Sequence, residues 1–106
     1  MAKARFEWDA KKDQDNQEKH GISFTKAQMA FVDFRRVLAA DLSHSSSEKR
    51  HYCFGLVDSG ILTVRFTFRN AVIRIFGAGY WRKGRRIYER ENHIHKRTPR
   101  RSQGRT

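Results

Sequence analysis

Apolar positions along this chain follow first a helical and then an alternating period. Asp9 to His20 lacks proline, glycine and β-branched residues, so it reads as a charged helix. Asp9 is its N-cap and Gly21, just after Lys19-His20, its C-terminal stop. Phe6 and Trp8 precede this helix and only Ala10 lies within it, so its ends and partners on a sheet must hold it. Ser23 then caps a short second helix, over which Phe24, Ala27, Ala30 and Phe31 fall at helical spacing.

From Arg36 the period becomes two. Val37 to Ala39 predict a first strand ending near Asp41, and Leu42 to Lys49, rich in serine, a polar loop. A second strand follows over His51 to Val57 and a turn at Asp58-Ser59-Gly60. Ile61 to Phe68 is the third strand, Arg69-Asn70 the next turn, and Ala71 to Phe76 the fourth. Such short connections predict an antiparallel meander. Gly77-Ala78-Gly79 is read as breaking the last strand, and Tyr80 to Glu91 as a closing basic helix weakened at Gly84 by about 1 kcal/mol. The expected architecture is α+β: two N-terminal helices, a four-stranded antiparallel sheet and a closing C-terminal helix. Residues 1–92 would form one domain and 93–106 a basic tail, with Thr98 to Thr106 ordered at most by a neighbour.

Alternation also assigns faces. Leu62, Val64, Phe66 and Phe68 oppose Thr63, Arg65 and Thr67; Ala71, Ile73 and Ile75 oppose Val72, Arg74 and Phe76. The apolar set must meet the helices. Arg65 and Arg74 are therefore expected on the opposite, helix-free face, on neighbouring strands and within reach of one ligand.

Charge changes the picture from fold to partner. Lysine and arginine number 23 against 11 acidic residues, a formal net charge of +12. An excess of this size predicts a polyanionic partner, a nucleic acid or an acidic protein. The N-terminus lacks the apolar run of a signal peptide, and no stretch has the roughly 18 apolar residues of a membrane span. Cys53 is the only cysteine, so no internal disulfide forms and a reducing compartment, the cytoplasm, is expected.

Were the polyanion RNA, cutting it without a metal would need a base for the 2′-hydroxyl proton, cations for the pentacoordinate phosphate and an acid for the leaving 5′-oxygen. Arg65 and Arg74 are the electrostatic candidates, because a guanidinium fork on a rigid strand binds phosphate in bidentate fashion; solvated strand arginines are the plainer alternative. His20 can act as general acid or base, or simply cap the negative end of its helix. Lys12 and Lys19 can meet phosphates or stay solvated. Tyr80 and Trp81 can stack on bases, whereas Trp81 and Tyr88 can equally anchor the last helix, the role expected for Tyr88. Glu89 can serve as a base or pair with Arg85 one turn away. His93 and His95 resemble a metal pair only in spacing, and no metal or cofactor is expected.

Composition and strand pattern fit a non-catalytic basic RNA- or ribosome-binding module equally well. A DNA-binding protein fits less well, since Gly84 interrupts the only basic helix. Three stretches resemble a known family, and the first of them tips the balance. In Phe6 to Phe24 the residues Trp8, Asp9, Lys12, Asn16, His20, Gly21 and Phe24 match, in order and spacing, the N-terminal signature of the BrnT family of type II toxins. Gly55 and the Arg65 strand are similar to the family's middle. Val72 to Glu91 resembles its C-terminal part and keeps Arg74, but has Gly79 where an arginine is expected; Arg82 is the candidate replacement. The resemblance implies a RelE-like fold, RNA cleavage that inhibits translation, and a BrnA-like ribbon-helix-helix antitoxin. Operator DNA would be reached only through that antitoxin.

Overall fold

The structure, a computed structural model, describes residues 5–44 and 48–94. Strand β1 (Phe6–Trp8) leads into helix α1 (Ala10–His20) and helix α2 (Phe24–Ala27), which continues as a 3-10 turn over Gln28–Phe31. Strands β2 (Val37–Asp41), β3 (Arg50–Val57), β4 (Gly60–Arg69) and β5 (Val72–Gly79) follow, and helix α3 (Arg82–Glu91) closes the fold. The chain is thus α+β, in a broadly RelE-like arrangement. Residues 45–47 of the predicted serine-rich loop and the tail beyond Ile94 lie outside the described residues.

Local chemistry accounts for the helix ends. The Asp9 side chain accepts from the Lys12 N–H at 3.0 Å, and Gly21, at φ 70°, turns the chain out of α1 while its N–H bonds the Gln17 carbonyl. Ser23 caps α2 by accepting from the Lys26 N–H at 3.0 Å. The turns also follow from sequence. Asp58-Ser59 and Asn70-Ala71 each have two consecutive positive φ angles, the two-residue form that matches the twist of a hairpin. The second turn thus sits one residue later than predicted.

The sheet has five strands in the order β1-β5-β4-β3-β2. The predicted four-stranded meander is present, and β1 adds a parallel edge strand, Phe6 to Trp8 pairing with Ile73 to Ile75. Three residues are too few to show a period, so this strand escapes sequence reading. The strand break predicted at Gly77-Ala78-Gly79 is overturned: β5 runs through all three, which pair with Arg65, Val64 and Thr63. Both glycines serve close packing on a strand rather than a turn, and α3 accordingly begins at Arg82 rather than Tyr80.

The main core lies between one sheet face and α2 with its 3-10 extension. Phe24, Leu62, Val64, Phe66 and Ile75 are fully buried there, each contributing roughly 1.5–3 kcal/mol of transfer free energy. At Gly55 a Cβ would run into the backbone of Ala30, so glycine sets how closely this layer sits. Helix α1, as its composition predicts, is held by polar contacts. Asp13 accepts from the Phe24 N–H at 2.8 Å, and the buried Asn16 amide bonds both backbone groups of Ala78 and the Ile22 carbonyl.

Candidate functional site

Strand register lays out the sheet face opposite the main core as rows of side chains. Arg50, Thr67 and Arg74 stand abreast on β3, β4 and β5. Tyr52, Arg65 and Gly77 form the next row, and Phe54, Thr63 and Gly79 the third. A register shift at Arg65/Phe66 leaves Phe76 as an extra residue on β5, a bulge that holds its ring on this face beside Gly77. The guanidinium carbons of Arg50 and Arg65 lie 4.8 and 5.5 Å from the Phe76 ring centre. Two cations thus share one aromatic ring, an arrangement that helps fix their charge over the sheet.

Arg65 and Arg74 occupy the same face of adjacent strands, as alternation predicts, but in different settings. The Arg65 guanidinium rests on Gly77, where a Cβ would come within 2.5 Å of Nη2 and 2.7 Å of Nε. Arg65 forms no ion pair among the described residues, and its Nε is buried without a hydrogen-bond partner. Arg74 instead donates to Glu7 of β1 at 3.0 Å. Further out, Arg69 donates to Glu48 at 3.3 Å, and this contact holds the Glu48 carboxyl below its ordinary pKa.

This face is not helix-free, contrary to expectation. Phe54 and Ile61 are apolar on it, and α3 brings Ile87 and Tyr88 down to cover them. Gly84 permits the approach: a Cβ there would meet Thr63 Oγ1 and the Phe54 ring. The glycine that weakens α3 as an isolated helix therefore fixes its docking. Where α3 begins, a cleft of about 510 Å³ opens between its first turn and the sheet, lined among others by Tyr52, Thr63, Arg65, Trp81, Lys83 and Gly84. Burial pushes the Tyr52 phenol pKa up, and the neighbouring Asp41 adds to the shift.

His20 is exposed at the end of α1, and its ring meets Trp81 edge-on at 5.3 Å between centroids. Trp81 lines the cleft with Arg65, so one indole links His20 to the arginine's surroundings. Tyr80 and Arg82 sit in a separate groove of about 480 Å³, together with Asp58, Gly60 and Arg85. There the Tyr80 hydroxyl donates to the Val57 carbonyl at 3.0 Å and its ring covers Gly60. Lys12 and Lys19 are exposed on α1 and do not line the cleft. Tyr88 is core, as expected, and Glu89 pairs with Arg85 at 3.8 Å. Among the described residues no three His, Cys, Asp or Glu side chains gather as a metal site, and no helix is long and apolar enough to cross a membrane.

Alternation places Thr63 on the Arg65 face, as the register shows, but sequence reasoning missed Arg50, Tyr52 and Lys83 as part of this surface. Extending the second strand's alternation back one residue puts Arg50, Tyr52 and Phe54 on a single face, a signal that was available. Alternation places Phe76 on this face, whereas its two arginine neighbours follow from strand register. No curated protein sequence matches the chain. A match over residues 8–84 spans Trp8, Asn16, His20, Arg65, Arg74 and Trp81, and by it the chain belongs to the family of BrnT ribonuclease toxins of type II toxin–antitoxin systems.

Proposed function

We propose that this BrnT toxin is a metal-independent endoribonuclease whose site is the arginine face beside the α3 cleft. The observation that carries the reading is Arg65: an arginine without an ion-pair partner among the described residues, resting on Gly77 and opening into a cleft of RNA-compatible size. Arg65 and Arg74 stabilise the pentacoordinate phosphate, with Glu7 orienting Arg74. The 2′-oxygen attacks phosphorus, the bond to the 5′-oxygen breaks, and one proton passes from the former to the latter by way of catalytic groups. His20 is the proton-transfer candidate, joined to the cleft through Trp81. Trp81 offers a face for a base, and Lys12, Lys19, Tyr80 and Arg82 extend the contact with the strand.

The substrate in this reading is cytoplasmic mRNA, whose cleavage inhibits translation. The partner is a BrnA-like ribbon-helix-helix antitoxin that covers the arginine face, excludes RNA and carries the complex to operator DNA. Residues 1–92 act as one toxin domain and 93–106 as a basic tail. The test is cleavage of a defined RNA by purified protein in excess EDTA. Products ending in 2′,3′-cyclic phosphate are expected, with Arg65→Ala and Arg74→Ala folded and each slowed about a hundredfold. Activity that vanishes in EDTA and returns with magnesium would overturn metal independence. Normal cleavage by either variant would remove that arginine from the mechanism.

A further inference from the structure

Among the described residues, two buried side-chain polar atoms lack a hydrogen-bond partner: Thr63 Oγ1 and Arg65 Nε. Both residues line the same cleft. Buried polar groups are nearly always satisfied, because leaving one unpaired is costly. Two residues with unsatisfied polar atoms in the wall of one cavity mark a place where a ligand can complete the bonding. The third contributor is α3 itself. This ten-residue helix begins after Trp81, whose side chain makes no capping bond. The first-turn N–H groups of Arg82, Lys83 and Gly84 therefore have no side-chain cap from Trp81, and they carry the positive end of the helix dipole. Thr63 is 4% exposed, and its hydroxyl points at this first turn, where it meets the place a Gly84 Cβ would take.

We propose that the cleft seats a backbone phosphate of the RNA, held by Thr63 Oγ1, the Arg65 guanidinium and the first-turn N–H groups of α3. The occupant must be an anion rich in acceptors. All three contributors can donate, Lys83 adds charge at the rim, and a helix N-terminus is itself a phosphate-binding element. A neutral acceptor would satisfy the orphans but leave the dipole and two cations uncompensated. The seat rests on the reading of the Arg65 face as the RNA site, and it adds Thr63 and α3 to the residues that position the strand. It also accounts for Gly84, which brings the helix start down to the threonine.

The probe is a 2′-deoxy trinucleotide, which lacks the attacking hydroxyl and so reports binding without cleavage. On titration the backbone amides of Lys83 and Gly84 should shift in NMR spectra. Thr63→Val keeps the shape but removes the hydroxyl; it should weaken binding about tenfold while its Tm holds or rises. Thr63→Ser should bind within about twofold of wild type, since the donor remains. Unchanged binding by Thr63→Val, or a Tm that falls, would overturn the seat, the latter by showing a structural partner for the hydroxyl. Shifts of the same amides with inorganic phosphate but not with the trinucleotide would overturn the assignment to RNA. Loss of RNA cleavage in Arg65→Ala with trinucleotide shifts elsewhere sinks the seat and leaves the ribonuclease site standing. The reverse, normal cleavage by Arg65→Ala while the wild-type amides of Lys83 and Gly84 shift and Thr63→Val binds weakly, sinks that site instead.

Discussion

The indole of Trp81 lies across Gly79. A Cβ at position 79 would stand 2.6 Å from Cζ2 and 2.8 Å from Cη2 of that ring, so the ring keeps its place only because residue 79 is glycine. This is the position where resemblance to the BrnT family leads one to expect an arginine. Glycine and tryptophan therefore form a linked pair, the indole occupying ground that a side chain at 79 would need. Gly79→Ala should displace the ring from His20 and from the cleft. The check is tryptophan fluorescence, excited beyond the tyrosine absorption, in a Trp8→Phe background where Trp81 is the only tryptophan: emission should move to longer wavelength and RNA cleavage should fall. An unchanged spectrum would show that the indole tolerates the methyl group.

Gly77 has the same relationship to Arg65. A methyl group there would meet the guanidinium, the far end of a flexible side chain, so the fold can yield by moving the arginine. Gly77→Ala should therefore keep its Tm within a few degrees yet lose cleavage nearly as far as Arg65→Ala, on the order of a hundredfold. Activity near wild type would mean that Arg65 works equally well from another rotamer. A large drop in Tm would mean that β5 itself cannot accept the methyl group.

These two glycines also show where the sequence stops being readable. In a one-dimensional pattern Gly77-Ala78-Gly79 looks like a strand break, because glycine is common where strands end. Their actual cause is the Arg65 and Trp81 side chains that cross them, and those contacts appear only once β4 and α3 are placed. Helix caps, hairpins and strand faces were legible because each depends on neighbours within a few residues, as at Asp9, Ser23 and Asp58-Ser59. Strand β1 and the docking of α3 were not, since both depend on partners more than sixty or about twenty residues away. The same-face placement of Arg65 and Arg74 followed from alternation alone; the ion pair that separates their settings, with Glu7, needed the unseen strand.

Asn16 supplies a third test. Its amide acts as a short extension of the sheet, donating to the Ala78 carbonyl at 2.9 Å and accepting from the Ala78 N–H at 3.1 Å. The same amide nitrogen donates to the Ile22 carbonyl at 2.9 Å. Asn16→Leu would leave these buried backbone groups unpaired, at about 1–3 kcal/mol for each group left so. A loss of roughly 3 kcal/mol or more is expected in denaturant unfolding, with the midpoint moved and the slope kept. A loss below about 1 kcal/mol would show that water replaces the amide.

The last prediction concerns pH and the bond between Tyr88 and Asp33. The Tyr88 hydroxyl donates to Asp33 Oδ2 at 2.6 Å, and Asp33 also accepts from the N–H groups of Leu56 and Arg35 at 2.8 and 3.0 Å. Burial opposes the Asp33 charge, but these donors outweigh it and hold the pKa below its ordinary value of 3.8. The folded state therefore holds its proton less tightly than the unfolded chain. The contribution of Asp33 is complete above about pH 3.8 and is lost as pH falls through the lowered folded value. Tyr88 runs the other way. Burial, aided by the Asp33 carboxylate, pushes its phenol from 10.0 up to about 12. Its contribution is complete below pH 10 and declines as pH rises toward 12. One hydrogen bond thus shapes both limbs of the stability profile, losing its charged acceptor in acid and its donor in alkali. Tyr88→Phe should cost roughly 1–2 kcal/mol at neutral pH, allowing for the partial exposure of Asp33. Its difference from wild type should shrink at both extremes, since the bond it lacks is one that wild type loses there. Chemical denaturation of the two proteins from pH 3 to pH 11 measures this directly. A difference constant across that range would show that the loss comes from packing of the ring and not from the hydroxyl.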